Sequence, residues 1–323
     1  MTAPFFRLFT AFVAGMFIVL LLLSCNPSPT SIFGVKKITI RDTFINQVDQ
    51  YIQVRMKDCN CPGAAITIII DTLSRLEKGY GVRSLDNSLP VDTNTVFRLA
   101  SVSKSFASVL ASIEESKGKF HFSDKVNQYV TDFNYEPNDF SNQVSINNIL
   151  SHSSGMPYHS FTNLVESGMA LSAIIPRFSN IKVKLPPGEE YAYQNATYGL
   201  IEPILEKTCH QAYTDLLNFE LIKPLGMNRM SYTYSSITSD TNHAMPHKPV
   251  GENRFELTDI TDKYYNLVSA GGINASISDM NKWIRLLMGY YPSILSASML
   301  DSLYTPRIRT TTDRRYYNYW PGV

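Results

Sequence analysis

The chain has 323 residues, 44% of them hydrophobic, and its 29 Lys and Arg against 28 Asp and Glu leave a formal net charge of +1. Charges of both signs are interspersed without long runs, which excludes a charge-driven nucleic-acid partner. The length allows one large domain or two intimate subdomains around a sizeable core.

The N-terminus reads as an address. One cation, Arg7, precedes an apolar run from Leu8 to Leu23 that is shorter than the roughly 20 residues of a spanning helix, so residues 1–24 are expected to be a secretory signal. The run ends in Leu22-Leu23-Ser24-Cys25, which resembles a bacterial lipobox, the signal whose Cys becomes the lipidated N-terminus. A plain anchor helix with a chance Cys is the competing reading. Residues 25–40, with Asn-Pro-Ser-Pro-Thr-Ser, suit a tether between lipid and domain.

Residues 41–56 have helical spacing, with Phe44, Val48, Tyr51 and Ile52 on one face. Residues 63–71 form an apolar, β-branched run expected to be a buried strand. "DTLSR" reads as a turn, and "EKGYGVRS" as the second strand of a hairpin. Helical patterns follow at 101–117, 145–151, 195–209, 211–222 and 278–288, with Pro203 expected to kink or shorten its helix. Cys59 and Cys61 are too close for an easy mutual bridge. Buried thiols, or one of the pair bonded to Cys209, are the remaining readings.

Within "RLASVSKSFAS", Ser101 and Lys104 stand three positions apart and share a helix face. A serine hydroxyl is a weak nucleophile until a base takes its proton, and a lysine can do this only when partly neutral. Ser101 at the helix start would meet free N–H groups that favour negative charge. Spacing alone is weak: Ser116–Lys119 and Ser179–Lys182 match it, and Ser101 could be an N-cap. Tyr193-Gln194-Asn195 follows "LPPGEEYA" and precedes a helix, but Tyr-x-Asn recurs at 264–266 and 316–318. His243 and His247 have the spacing of a zinc helix, yet "HAMPH" lacks the glutamate and carries Pro246, so it reads as a loop. Walker, dinucleotide and Gly-x-Ser-x-Gly patterns are missing from the sequence.

Taken in order, "FRLASVSK", "ILSHSSGM", "PPGEEYAYQNATYGLIEPILEK", "IKPLGM" and "SAGGINASISDMNKWI" resemble the serine β-lactamase and penicillin-binding superfamily, in its branch of class C β-lactamases, D-Ala-D-Ala carboxypeptidases and esterases. The resemblance implies an α+β fold, an antiparallel sheet flanked by helices plus a largely helical subdomain. The hydrolase domain would be 41–323, with its sheet part at 41–100 and about 265–323 and its helical part at about 101–264. It implies Ser101 as the acylated nucleophile and Lys104 as holder of its proton. Tyr193 would be the partner base, with a phenol pKa lowered by the Lys charge, and Asn195 would bind the substrate amide and orient Lys104. Whether Lys104 or Tyr193 is the base stays open, since the two would titrate as a pair. His159 falls near a position where some members place a substrate-facing side chain; an exposed loop histidine is the reading kept. The family's third motif, Lys/His-x-Gly on a late strand, is missing from the sequence, and the expectation is a domain incomplete at its C-terminus without its late strands. The activity implied is a lipid-anchored envelope serine hydrolase acting through an acyl-enzyme on D-amino-acid peptides, β-lactams or small esters, with no metal or organic cofactor. The alternative is a non-catalytic penicillin-binding or sensor lipoprotein. Oligomeric state has no signature.

Overall fold

The structure, a computed structural model, describes residues 40–310 and the pair 318–319. The signal, the tether and Cys25 lie outside the described residues apart from Ile40. Contacts divide the chain between Asn46 and Gln47, and the sheet, the core and the site all belong to the part from Gln47 onward.

Helix α1 (Ile40–Asp58) half-buries Val48, Ile52 and Met56, while Tyr51, expected on that face, is exposed with Val54. Asp49 pins the helix to the sheet by accepting bonds from Lys78 Nζ (2.8 Å) and the Tyr80 hydroxyl (2.6 Å). Strands β1 (Gly63–Ile70), β2 (Leu73–Ser84) and β3 (Asn87–Pro90) form an antiparallel sheet in the order β1-β2-β3. Ile70 pairs with Leu73, so the turn is Asp71-Thr72 alone and the Leu-Ser-Arg expected in it belongs to β2. Pairing with the β-branched run of β1 outweighs the turn-like composition of these three residues.

Strand β4 (Val96–Arg98) leads into helix α2 (Ser103–Ser116), in which every residue from Ser103 to Glu114 is buried. A helix covered on all sides is the centre of a core. Its serines stay internally bonded: Ser105 Oγ donates to the Val102 carbonyl, and Ser108 Oγ lies 2.6 Å from the Tyr198 hydroxyl. Helix α3 (Ile146–Leu150) opens on a capping box between Ser145 and Asn148.

The expected helix 195–209 is broken into α4 (Asn195–Tyr198) and α5 (Ile201–Cys209). Pro203 lies in the first turn of α5, where its missing N–H removes no intrahelical bond. Helix α6 (Tyr213–Leu217) continues as a π-helical turn over 218–222. The hairpin β5 (His247–Gly251) and β6 (Arg254–Leu257) falls inside the stretch expected to be helical, turning through Asn253 at φ 53°.

Helix α7 (Val268–Gly271), strand β7 (Asn274–Ser276) and helix α8 (Ile277–Leu287) follow, then α9 (Ala297–Tyr304). Strand β7 pairs with β4, Phe97 opposite Ala275. Helix α8 joins sheet and core. Asn281 Nδ2 donates to Thr67 Oγ1 (2.7 Å) in β1 and to Ser74 Oγ (2.9 Å) in β2, and Trp283 stacks on Phe106 of α2 with centroids 3.8 Å apart. So 265–310 attaches to the sheet mainly by a packed helix. Among the described residues β1 has a strand partner, β2, on one side only.

No cysteine pairing forms among Cys59, Cys61 and Cys209; all three are free and partly exposed, and Cys209 Sγ lies 3.3 Å from Glu114 Oε2. Among the described residues no helix is long and apolar enough to cross a membrane.

Candidate active site

The β4–β7 pair sets the site. Beyond Arg98 the Leu99 N–H donates to the Ile273 carbonyl (2.9 Å), and Ser103 Oγ accepts from the Ile273 N–H (3.1 Å), so the start of α2 lies against residues 270–273. Between these two bonds Ala100 takes a left-handed φ of 47°, uncommon for a residue with a Cβ. The reversal lifts Ser101 onto a short 3₁₀ turn (Ala100–Val102), where its side chain is exposed. Lys104, one turn on, is 0% exposed.

The structure brings all four expected side chains together. The Tyr193 hydroxyl donates to Ser101 Oγ at 2.7 Å, and Lys104 Nζ lies 3.4 Å from the same oxygen. Lys104 Nζ also donates to Asn195 Oδ1 (2.8 Å) and to the Ala270 carbonyl (2.7 Å). Both acceptors are neutral, so nothing of full charge offsets the loss of water. Burial pulls Lys104 from 10.5 down to about 7. A neutral amine whose two hydrogens serve Asn195 and Ala270 keeps its lone pair for the third direction, where Ser101 lies. Proton paths of this kind are often long before substrate arrives and tighten in the complex.

The expected lowering of the Tyr193 pKa is corrected. Burial of the phenol pushes it up, the bond to Ser101 opposes this, and the Tyr158 phenol adds to the rise. Lys104, itself close to neutrality, lacks the full charge that the lowering required. At rest, then, the lysine is the group able to take a proton and the tyrosine is a donor.

Three supports were not apparent from sequence. His152, from the "SHSSG" segment, is buried beneath Tyr193 with ring centroids 4.4 Å apart. Its Nδ1 accepts from the Gln194 N–H (3.2 Å), and burial, aided by Lys104, pulls it down to about 3. Tyr198 donates to the Lys104 carbonyl (2.7 Å), tying α4 to α2. Tyr264, the first tyrosine of the Tyr-x-Asn decoy at 264–266, accepts from Asn195 Nδ2 (3.1 Å) and donates to Glu166 Oε1 (3.0 Å). A Cβ on Gly272 would stand 2.6 Å from the Tyr264 carbonyl, so the Gly-Gly pair lets this segment pack closely against Tyr264. The sequence did offer "SAGGIN" as one block, but not the Ala270 carbonyl inside it.

The decoys stand apart. Ser116 and Ser179 donate to backbone carbonyls one turn back, and Lys119 and Lys182 are exposed. His159 is exposed on its loop as read, with its ring 5.4 Å from that of Tyr193. His243 and His247 lie in a loop and at a strand start, and among the described residues no cluster of three metal-ligating side chains occurs. A cavity of about 710 Å³ near Ile113, Phe219 and Met299 is lined by none of the four site residues.

Similarity to known proteins bears on the family and the fold. Protein flp of Staphylococcus aureus (strain NCTC 8325 / PS 47) is 25% identical over 244 residues, 74% of this chain and 48% of that protein. A protein named Beta-lactamase from Psychrobacter immobilis is 25% identical over 250 residues, 77% of this chain and 59% of its own length. The chain thus spans about half the length of the curated relatives it matches. The fold is similar to that of the octameric penicillin-binding protein homologue from Pyrococcus abyssi, with a TM-score of 0.72 at 24% identity over 85% of this chain and 64% of that one. The model of the family described as Beta-lactamase matches residues 48–321, from α1 past the last helix, and by that match the chain belongs to the Beta-lactamase family.

Proposed function

We propose that the protein is a serine hydrolase that acts through an acyl-enzyme on Ser101. The observation that carries this reading is the position of Ser101 Oγ between the Tyr193 hydroxyl and a lysine held near neutrality. Lys104 Nζ takes the Ser101 proton as Oγ attacks the carbonyl carbon of the substrate. The Ser101 N–H, at the start of the turn, faces the oxygen that gains charge. As the tetrahedral adduct collapses, a proton from Lys104 or Tyr193 passes to the leaving group, and water later releases the acid. Asn195 holds Lys104 by its oxygen and orients the substrate amide. Substrates are amides or esters of the class C β-lactamase, D-Ala-D-Ala carboxypeptidase and esterase kind: D-amino-acid peptides, β-lactams or small esters.

Intact-mass spectrometry after exposure to a penicillin and to a fluorophosphonate tests the reading. Ser101→Ala should abolish the adduct, and Ser116→Ala and Ser179→Ala should keep it. Normal labelling of the Ser101 variant would overturn the mechanism; a stable adduct without turnover would identify a binding or sensor protein instead. The proposed address is the cell envelope, with Cys25 carrying two acyl chains, since one binds a membrane only marginally. Cys25→Ser should then leave the membrane fraction; unchanged partitioning would refute the anchor.

A further inference from the structure

Glu202 is an ionisable group for which the acylation steps have no role. It sits in the first turn of α5 and its Oε1 accepts from the Ser269 N–H at 2.6 Å. Ser269 belongs to α7, and the carbonyl of the next residue, Ala270, accepts from Lys104 Nζ at 2.7 Å. Glu202 therefore holds the N–H of one residue of a four-residue helix, and the carbonyl of the next residue holds the amine. We propose that Glu202 is a positioning residue for Lys104, acting through the Ser269–Ala270 segment.

The choice of side chain supports this. Burial pushes the Glu202 carboxyl up to about 7, and the like charge of Glu206 adds to the rise. An apolar side chain would avoid that penalty, and a desolvated carboxylate is kept where its oxygen has a task. The other titratable group facing it is Tyr213 of α6, whose buried hydroxyl has no hydrogen-bond partner among the described residues. The Ser269 N–H stands in the first turn of α7, where the helix itself supplies no acceptor. Without Glu202 that turn would lose its anchor and the Ala270 carbonyl would drift. Lys104 would then lose an acceptor that favours its charged form.

The inference rests on the proposed role of Lys104 for its kinetic consequence, but its structural test does not. The 13Cε shift of Lys104, assigned by comparison with Lys104→Arg, is titrated in the full chain. Glu202→Leu should lower the midpoint from the parent value by about half a pH unit or more, and Glu202→Gln, which keeps an oxygen acceptor, should move it by less than half as much. Acylation by a fluorophosphonate should slow about tenfold or more in Glu202→Leu and by under about threefold in Glu202→Gln. If Glu202→Leu does not fold, Glu202→Asp replaces it. Its shorter carboxylate keeps the charge but does not reach Ser269, and it should behave as Leu. An unchanged Lys104 midpoint in Glu202→Leu or Glu202→Asp overturns the proposal. A Gln variant that shifts as far as Leu overturns it too, since the negative charge alone would then be at work. If the parent protein takes no label, the acyl-enzyme reading fails while the titration still decides this one.

Discussion

Tyr193 divides its work between ring and hydroxyl. The ring leans on His152, and the hydroxyl donates to Ser101 Oγ. Tyr193→Phe keeps the first and deletes the second. The expected result is an unfolding midpoint close to the parent's and acylation slower by about 10²–10⁴, the span of a positioned proton-transfer group. A variant that acylates at the parental rate would leave the lysine to act alone. The four side chains were legible in sequence through the order of blocks that resembles the serine β-lactamase superfamily; residue type and the one-turn spacing of Ser101 and Lys104 alone were matched by Ser116–Lys119 and Ser179–Lys182. The hidden part of the site is carried by backbone or by neutral support. The Ala270 carbonyl has no residue signature, and Tyr264 was indistinguishable from chance until Asn195 was found 3.1 Å from it. The direction of the Tyr193 shift was hidden as well, because it depends on how much water reaches the phenol.

Helix α8 shows the same division one scale up. Its hydrophobic period and the Ser276–Asp279 capping box make it readable, and it runs from Ile277 to Leu287 close to where the pattern puts it. The period says nothing of its partners. Asn281 reaches the sheet while Trp283 stacks on Phe106 in α2, the helix that carries Lys104. Trp283→Ala should therefore cost about 3–5 kcal/mol, the usual toll of deleting a buried aromatic ring. It should also slow acylation, because the cavity opens behind α2. Urea midpoints with parallel fluorophosphonate rates would check this; a loss under about 1 kcal/mol would mean that the stack is incidental. Element boundaries were less legible than element types. The break at Gly199–Leu200 and the π-helical turn at 218–222 answer to packing, which local propensity does not see. The β5–β6 hairpin escapes the pattern because its strands are short: β5 is almost wholly exposed, and the alternation of β6, with Phe255 and Leu257 half-buried, runs for only four residues.

For the whole molecule, the buried ionisable groups set how stability follows pH. The folded state holds His152 near 3 against 6.5 in the open chain, and Lys104 near 7 against 10.5. Both are depressed bases, so in each interval the unfolded chain binds the extra proton and stability rises with pH. Glu202 acts oppositely: raised from 4.5 to about 7, it makes the folded chain the better proton acceptor over that interval. His152 and Glu202 therefore offset each other between about 4.5 and 6.5. Above 9 the raised thiols of Cys61 and Cys209, and then the raised phenols, pull stability down again. That leaves pH 7 to 9 as the interval in which Lys104 dominates. Urea unfolding across it should show stability climbing, at a slope bounded by ~1.4 kcal/mol per pH unit for one proton. Lys104→Met should remove the climb, because the side chain no longer titrates, and His152→Phe should leave it in place while flattening the loss below pH 4.5. If the parent and Lys104→Met show the same flat profile from 7 to 9, the lysine is charged in the folded protein. It then has no lone pair to offer Ser101, and the proton must go elsewhere.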